Sequence, residues 1–63
     1  MELMRKARAV LFRRGVSADD ADDLVHDAYV RLLDYEQTRV VRSREAVLVD
    51  AAVKLSIDLL RRR

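Results

Sequence analysis

One short stretch brings together the side chains best suited to chemistry, namely Asp22, Asp23, His26 and Asp27. On a helix, residues four apart share a face, so Asp22 and His26 could approach one ligand. A single histidine with only aspartates is a poor ligand set for a transition metal. No serine or cysteine nucleophile accompanies His26 in a recognisable arrangement, and Gly15 is the only glycine, which excludes a glycine-rich phosphate loop. We therefore expect no enzyme, no metal and no cofactor, since acidic residues in the first turns of a helix are common for dipole reasons alone.

The charged residues are segregated along the chain. Residues 1–15 carry five basic groups and one acid, residues 16–36 carry seven acids and one arginine, and residues 37–63 carry seven basic groups and three acids. Such blocks indicate two different partner surfaces. The alternative is that the charges only keep the helices in solution.

Length and composition bound the class of protein. The 63 residues contain no cysteine, which excludes disulfides and thiolate metal sites. No apolar run approaches the roughly 18 residues of a membrane span, and the first residues lack a signal-peptide apolar region. We expect one cytoplasmic domain over residues 1–63 with no membrane insertion. Because so small a domain has a marginal core, a partner or a second copy is expected to help stabilise it.

Two helices are predicted in the first half of the chain, which has no proline. Apolar residues at helical spacing predict a first helix over residues 2–14, ended by Gly15 in a left-handed conformation. Ser17 is the predicted N-cap of a second helix over residues 18–35. The apolar stripe of that helix comprises Ala21, Leu24, Val25, Ala28 and Leu32. Residues 36–42 are predicted to be a connecting loop.

The third predicted helix follows Ser43 as N-cap and runs to the end of the chain. Its polar stripe is narrow, with Asp50, Lys54, Asp58 and Arg61 at spacings of four, four and three. A helix that is apolar nearly all round is normally buried. Two outcomes stay open: the other two helices straddle it, or its exposed side packs on a partner or a second copy.

The second and third segments resemble a known family. Residues 17–32, SADDADDLVHDAYVRL, resemble the signature helix of extracytoplasmic-function bacterial sigma factors. The later run, with Ala46, Leu48, Ala52 and LSIDLLRRR over residues 55–63, resembles the next part of the same domain. The iron-uptake-type subgroup looks most similar. The resemblance covers nearly all of the chain and implies an all-α, three-helix domain like sigma region 2, with the last two helices long and antiparallel. We expect no second, −35-reading domain in this chain.

The resemblance also implies partners and site residues. In the family, the signature helix docks on the clamp helices of the largest subunit of core RNA polymerase; the matching positions here are Asp22, Asp23, His26, Asp27, Tyr29 and Arg31. The loop and third helix correspond to the part that opens and reads the promoter −10 element; the matching basic positions are Arg39, Arg42, Arg44, Lys54, Arg61, Arg62 and Arg63. Basic groups at these positions would neutralise phosphates. An anti-sigma factor is a further candidate partner.

Departures from the family pattern favour an alternative. Val47 replaces a common aromatic, Asp50 lies at an often basic site, and Lys54 replaces the usual asparagine. Binding of a melted strand normally uses aromatic stacking platforms, and the third segment has none. The alternative function is a sigma-like protein–protein or homodimerising regulatory module, joined through the third helix, without competent promoter reading. A third option is a generic helical DNA binder, whose affinity for any duplex would fall steeply with salt.

Overall fold

Three α-helices form most of the chain: α1 (Glu2–Arg13), α2 (Ala18–Glu36) and α3 (Arg44–Arg61). The computed structural model describes residues 2–62, and no strand occurs among them. The prediction of an all-helical domain of three helices is confirmed, and α2 and α3 are the long ones, with 19 and 18 residues. The antiparallel direction of these two helices and the likeness to the sigma fold stay predictions.

The end of α1 is formed as the glycine position predicts. Gly15 has a φ of 85°, in the left-handed region that a side chain disfavours. The Gly15 N–H donates to the Phe12 carbonyl at 3.0 Å, and the Val16 N–H donates to the Leu11 carbonyl at 3.1 Å. This is a Schellman motif, in which Val16 and Leu11 also bury their side chains. The chain therefore turns sharply from α1 into α2.

Serine caps begin both long helices. Ser17 Oγ accepts from the Asp20 N–H at 3.3 Å, and Ser43 Oγ accepts from the Ala46 N–H at 3.2 Å. Both predicted N-caps are confirmed, because each hydroxyl satisfies an amide that has no partner within its helix. The predicted loop over residues 36–42 is wrong by one residue at its start, since Glu36 belongs to the last turn of α2.

The core lies where the three helices meet. Its buried apolar side chains come from every helix and from the α1–α2 turn: Ala7, Leu11, Val16, Ala21, Val25, Ala28, Leu32, Leu48 and Ala52. Four of the five predicted stripe residues of α2 are buried, and the fifth, Leu24, packs on the core while half-exposed. Four of these nine side chains are alanine, and the domain measures 34 × 24 × 14 Å.

The third helix packs against both of its neighbours. It buries Leu48, Ala52 and Ser56, and the Ser56 hydroxyl donates to the Val53 carbonyl at 2.6 Å, which satisfies the one buried polar side chain among residues 3–62. Both α1 and α2 pack against α3, which is the first of the two arrangements that the sequence left open. They do not enclose it, however, because Leu60 remains 44% exposed and Val53 and Ile57 are only half-buried.

Candidate binding surfaces

The side of α2 that faces away from the core is an acidic surface. It comprises Asp23, His26, Asp27, Val30 and Asp34, all exposed, and is called here the outer face of α2. These residues recur at helical spacing opposite the buried stripe, so they lie on one surface. Asp23 and Asp34 form no ion pair within the described residues, and Asp27 meets Arg31 only at 4.0 Å. The negative charge of this surface is therefore available to a basic partner.

Three of the six residues matched to polymerase docking lie together on that surface, and three do not. Asp22 turns toward α1, where its carboxylate lies 2.8 Å from Arg8 Nε. The Arg8 N–H does not point at the oxygen, so the contact is an ion pair without a hydrogen bond. Tyr29 is half-buried and packs on the core, and Arg31 is exposed at the edge of the outer face, one turn beyond Asp27. The predicted docking set is therefore wider than one helical face.

Sequence reasoning left two outward residues out of the docking set. Val30 is 51% exposed at the centre of the outer face of α2, and Asp34 lies one turn further on. The signal that could have included them is helical spacing, because Val30 follows His26 by four residues and Asp34 follows Val30 by four. An exposed aliphatic side chain surrounded by acids combines a small apolar contact with charge complementarity.

A clasp joins the end of α2 to the start of α3. Arg44 donates from Nε and Nη2 to the two oxygens of Glu36, at 3.0 and 3.2 Å, and its guanidinium lies 5.9 Å from the centre of the Tyr29 ring. The hydrogen bond to Glu36 is the main reason that the pKa of Arg44 is raised, and Tyr29 and the Glu36 charge add to it. Because a raised pKa keeps the guanidinium charged, the stabilisation of the folded state by this clasp is complete below the ordinary arginine pKa. It is lost only as the pH rises above the raised pKa of Arg44. Arg44 is thus a permanent cation already committed to an internal carboxylate.

The loop between α2 and α3 carries two exposed cations, Arg39 and Arg42. Arg39 donates to the Tyr35 hydroxyl at 3.4 Å, and its guanidinium lies 5.0 Å from the centre of that ring. Tyr35 is exposed, and Arg42 is exposed nearby in the chain. An arginine stacked on an exposed tyrosine offers both charge and a flat surface, which are the two elements of single-strand binding.

The remaining basic residues matched to DNA contact lie along α3. Lys54 forms an i,i+4 ion pair with Asp50 at 2.9 Å. Arg61 and Arg62 are exposed at the far end of the helix, about 26 Å along its axis from Arg44. Arg63, the last matched residue, lies outside the described residues. The structure therefore separates the matched cations into a loop group and a helix-end group, with an internally paired lysine between them.

Among residues 2–62, no group of three or more histidine, cysteine or acidic side chains comes together in a way that could hold a metal ion. None of the three helices combines the length and the apolar character that crossing a bilayer requires. Comparison with protein-family models, with curated proteins and with solved structures found no match for this chain.

Proposed function

We propose that this domain is a transcription initiation factor module that binds the clamp helices of core RNA polymerase through α2 and contacts the promoter −10 element. The observation that carries the proposal is the outer face of α2, an exposed and mainly acidic surface in the segment that resembles the sigma signature helix. A basic coiled coil is the complementary partner. Such a function belongs to the cytoplasm.

The basic loop supports the DNA half of the proposal. Arg39, Arg42 and the exposed ring of Tyr35 provide a cationic and aromatic surface next to the start of α3. Arg44 contributes little to phosphate binding, because its guanidinium is already held by Glu36. Of the residues matched by resemblance, the loop pair is therefore the better candidate for the first contact with a melted strand.

The deciding experiment is a pull-down of core RNA polymerase by the domain, run beside binding to a single-stranded −10 oligonucleotide. The proposal expects binding to both. An Arg39→Glu, Arg42→Glu variant should lose the oligonucleotide and keep the polymerase, because these residues lie away from the outer face of α2. Absence of polymerase binding by the folded wild-type domain would overturn the proposal.

A second candidate is a sigma-like regulatory module that binds polymerase or an anti-sigma factor without reading a promoter. The observation in its favour is the α3 stripe, defined as Asp50, Lys54, Asp58 and Arg61. Its charges alternate and sum to zero, so α3 offers no continuous cationic track for a phosphate backbone. Polymerase binding with no measurable oligonucleotide binding would favour this candidate.

A further inference from the structure

The outward side of α3 carries an apolar row beside its charged stripe. The row is Val49, Val53, Ile57 and Leu60, with the same spacing of four, four and three as the stripe, one residue earlier at every step. Val49 reaches the core, whereas Val53 and Ile57 are half-buried without packing on it, and Leu60 is exposed. The row also borders a groove of about 440 Å³ between α1 and α3, and Val10 of α1 lines the groove as well. An apolar row this long, left open on a small domain, is suited to a partner helix.

The order of charges in the α3 stripe identifies that helix. Read from the start of α3, the stripe is negative, positive, negative, positive, and read backwards the signs are inverted. When two copies of such a helix pack antiparallel around a two-fold axis, each charge meets its opposite. Lys54 then faces Asp58 of the second copy, and Asp50 faces Arg61 of the second copy.

The apolar row pairs in nearly the same register, because its midpoint lies one residue, about 1.5 Å along the helix, before that of the stripe. Around an axis at the midpoint of the row, Val53 lies opposite Ile57 of the second copy, and Val49 lies opposite Leu60 of the second copy. The stripe lies on one side of this row, and α1 lies on the other, so the charges would pair along one edge of the seam, as in antiparallel coiled coils. Asp58 and Arg61 form no ion pair within the described residues, so both can pair with the second copy.

We propose that α3 is a homodimerisation surface, on which a second copy of this chain packs antiparallel with Val53 against Ile57 and Lys54 against Asp58. A standard interface takes about 800 Å² from each partner, which is about a sixth of the 4655 Å² surface of this domain. The proposal is independent of polymerase and DNA binding. Dimerisation would, however, compete with any nucleic-acid contact at Lys54 and Arg61, because the dimer covers these two residues.

The test measures self-association by sedimentation equilibrium with single and combined charge reversals. Lys54→Glu places like charges opposite each other twice per dimer, and the reversal should weaken the dimer about tenfold, as should Asp58→Lys. Arg39→Glu, the matched control with the same charge change as Lys54→Glu but in the loop, should leave the dimer unchanged. Circular dichroism of every variant separates a lost interface from a lost fold.

Mixing the variants gives the decisive result. In a mixture of the Lys54→Glu chain with the Asp58→Lys chain, both opposing pairs of the mixed dimer are again of opposite sign. Heterodimers should therefore form with wild-type affinity, and the double variant Lys54→Glu, Asp58→Lys should recover homodimerisation. A wild-type chain that stays monomeric at the highest concentration reached would overturn the proposal, and so would a mixture that associates no better than its components.

Discussion

The outer face of α2 and the outward side of α3 are both exposed surfaces of long helices, yet their charges are arranged in opposite ways. On α2, three acids lie around Val30, and two of them have no internal partner among the described residues. On α3, acids and bases alternate beside a continuous apolar row, and Asp50 is already paired with Lys54. A surface of one sign attracts an oppositely charged partner from a distance and tolerates several registers. An alternating surface attracts little at a distance, but it selects one register at contact. The two helices are therefore suited to different partners.

Both surfaces depend on one small core, and breaking that core should have the largest effect. Leu32→Ala on α2 or Leu48→Ala on α3 leaves a cavity where the side chain is fully buried, at a cost of about 2–5 kcal/mol. Chemical denaturation should show that either variant is largely unfolded, with both binding activities lost together. Val40→Ala is the control, because Val40 is 96% exposed and its loss should leave stability unchanged. Loss of only one activity in a core variant would mean that the two surfaces do not share the core.

Reversing the charge of two aspartates on either surface should weaken the binding activity of that surface alone. Asp23→Lys with Asp27→Lys should weaken polymerase binding at least about a hundredfold, since like charges would then face a basic partner, and should leave self-association unchanged. Asp50→Lys with Asp58→Lys makes the same change of charge on α3 and should have the reverse pattern. Surface plasmon resonance and sedimentation measure the two activities. Polymerase binding that survives the α2 reversal would exclude the outer face of α2 as the docking surface.

Ionic strength should affect the two associations unequally. Raising salt screens the long-range attraction of the acidic α2 face, and the polymerase association rate should fall about tenfold between low and high salt. The α3 dimer, whose stripe is neutral overall and whose seam is apolar, should weaken only about twofold. Stopped-flow kinetics and sedimentation over the same salt series check this difference. An equal salt dependence would remove the contrast between the two surfaces.

The serine caps should give the smallest effect, and it should be nearly equal for the two helices. Ser17→Ala and Ser43→Ala each remove one capping hydrogen bond of similar length, at a cost of about 1 kcal/mol of unfolding free energy. Equilibrium denaturation measures both, and Ser17→Asp and Ser43→Asp, which retain an accepting oxygen, should restore most of the loss. A much larger cost at one cap would show that its helix depends more on its first turn than on packing.

Local chemistry made much of this fold predictable. The left-handed Gly15, the two serine caps and the apolar stripe of α2 depend on neighbours within a few residues, and the structure confirms each of them. The end of α2 was placed one residue early, which is the usual variation at a helix end. The clasp between Glu36 and Arg44, by contrast, joins residues eight apart. No local spacing encodes that contact.

Charge blocks and helical spacing, determined by the sequence alone, predicted an acidic helix and a nearly all-apolar one. Which members of each set remain available was decided by packing. Asp22 and Arg44 read as free charges in the sequence, but the tertiary structure pairs them with Arg8 and Glu36. Likewise, only the positions of α1 and α2 decide that α3 buries Leu48 and leaves Leu60 exposed. The physical reason is that periodicity defines the faces of a helix, whereas exposure depends on what lies against each face, and those neighbours come from distant parts of the chain.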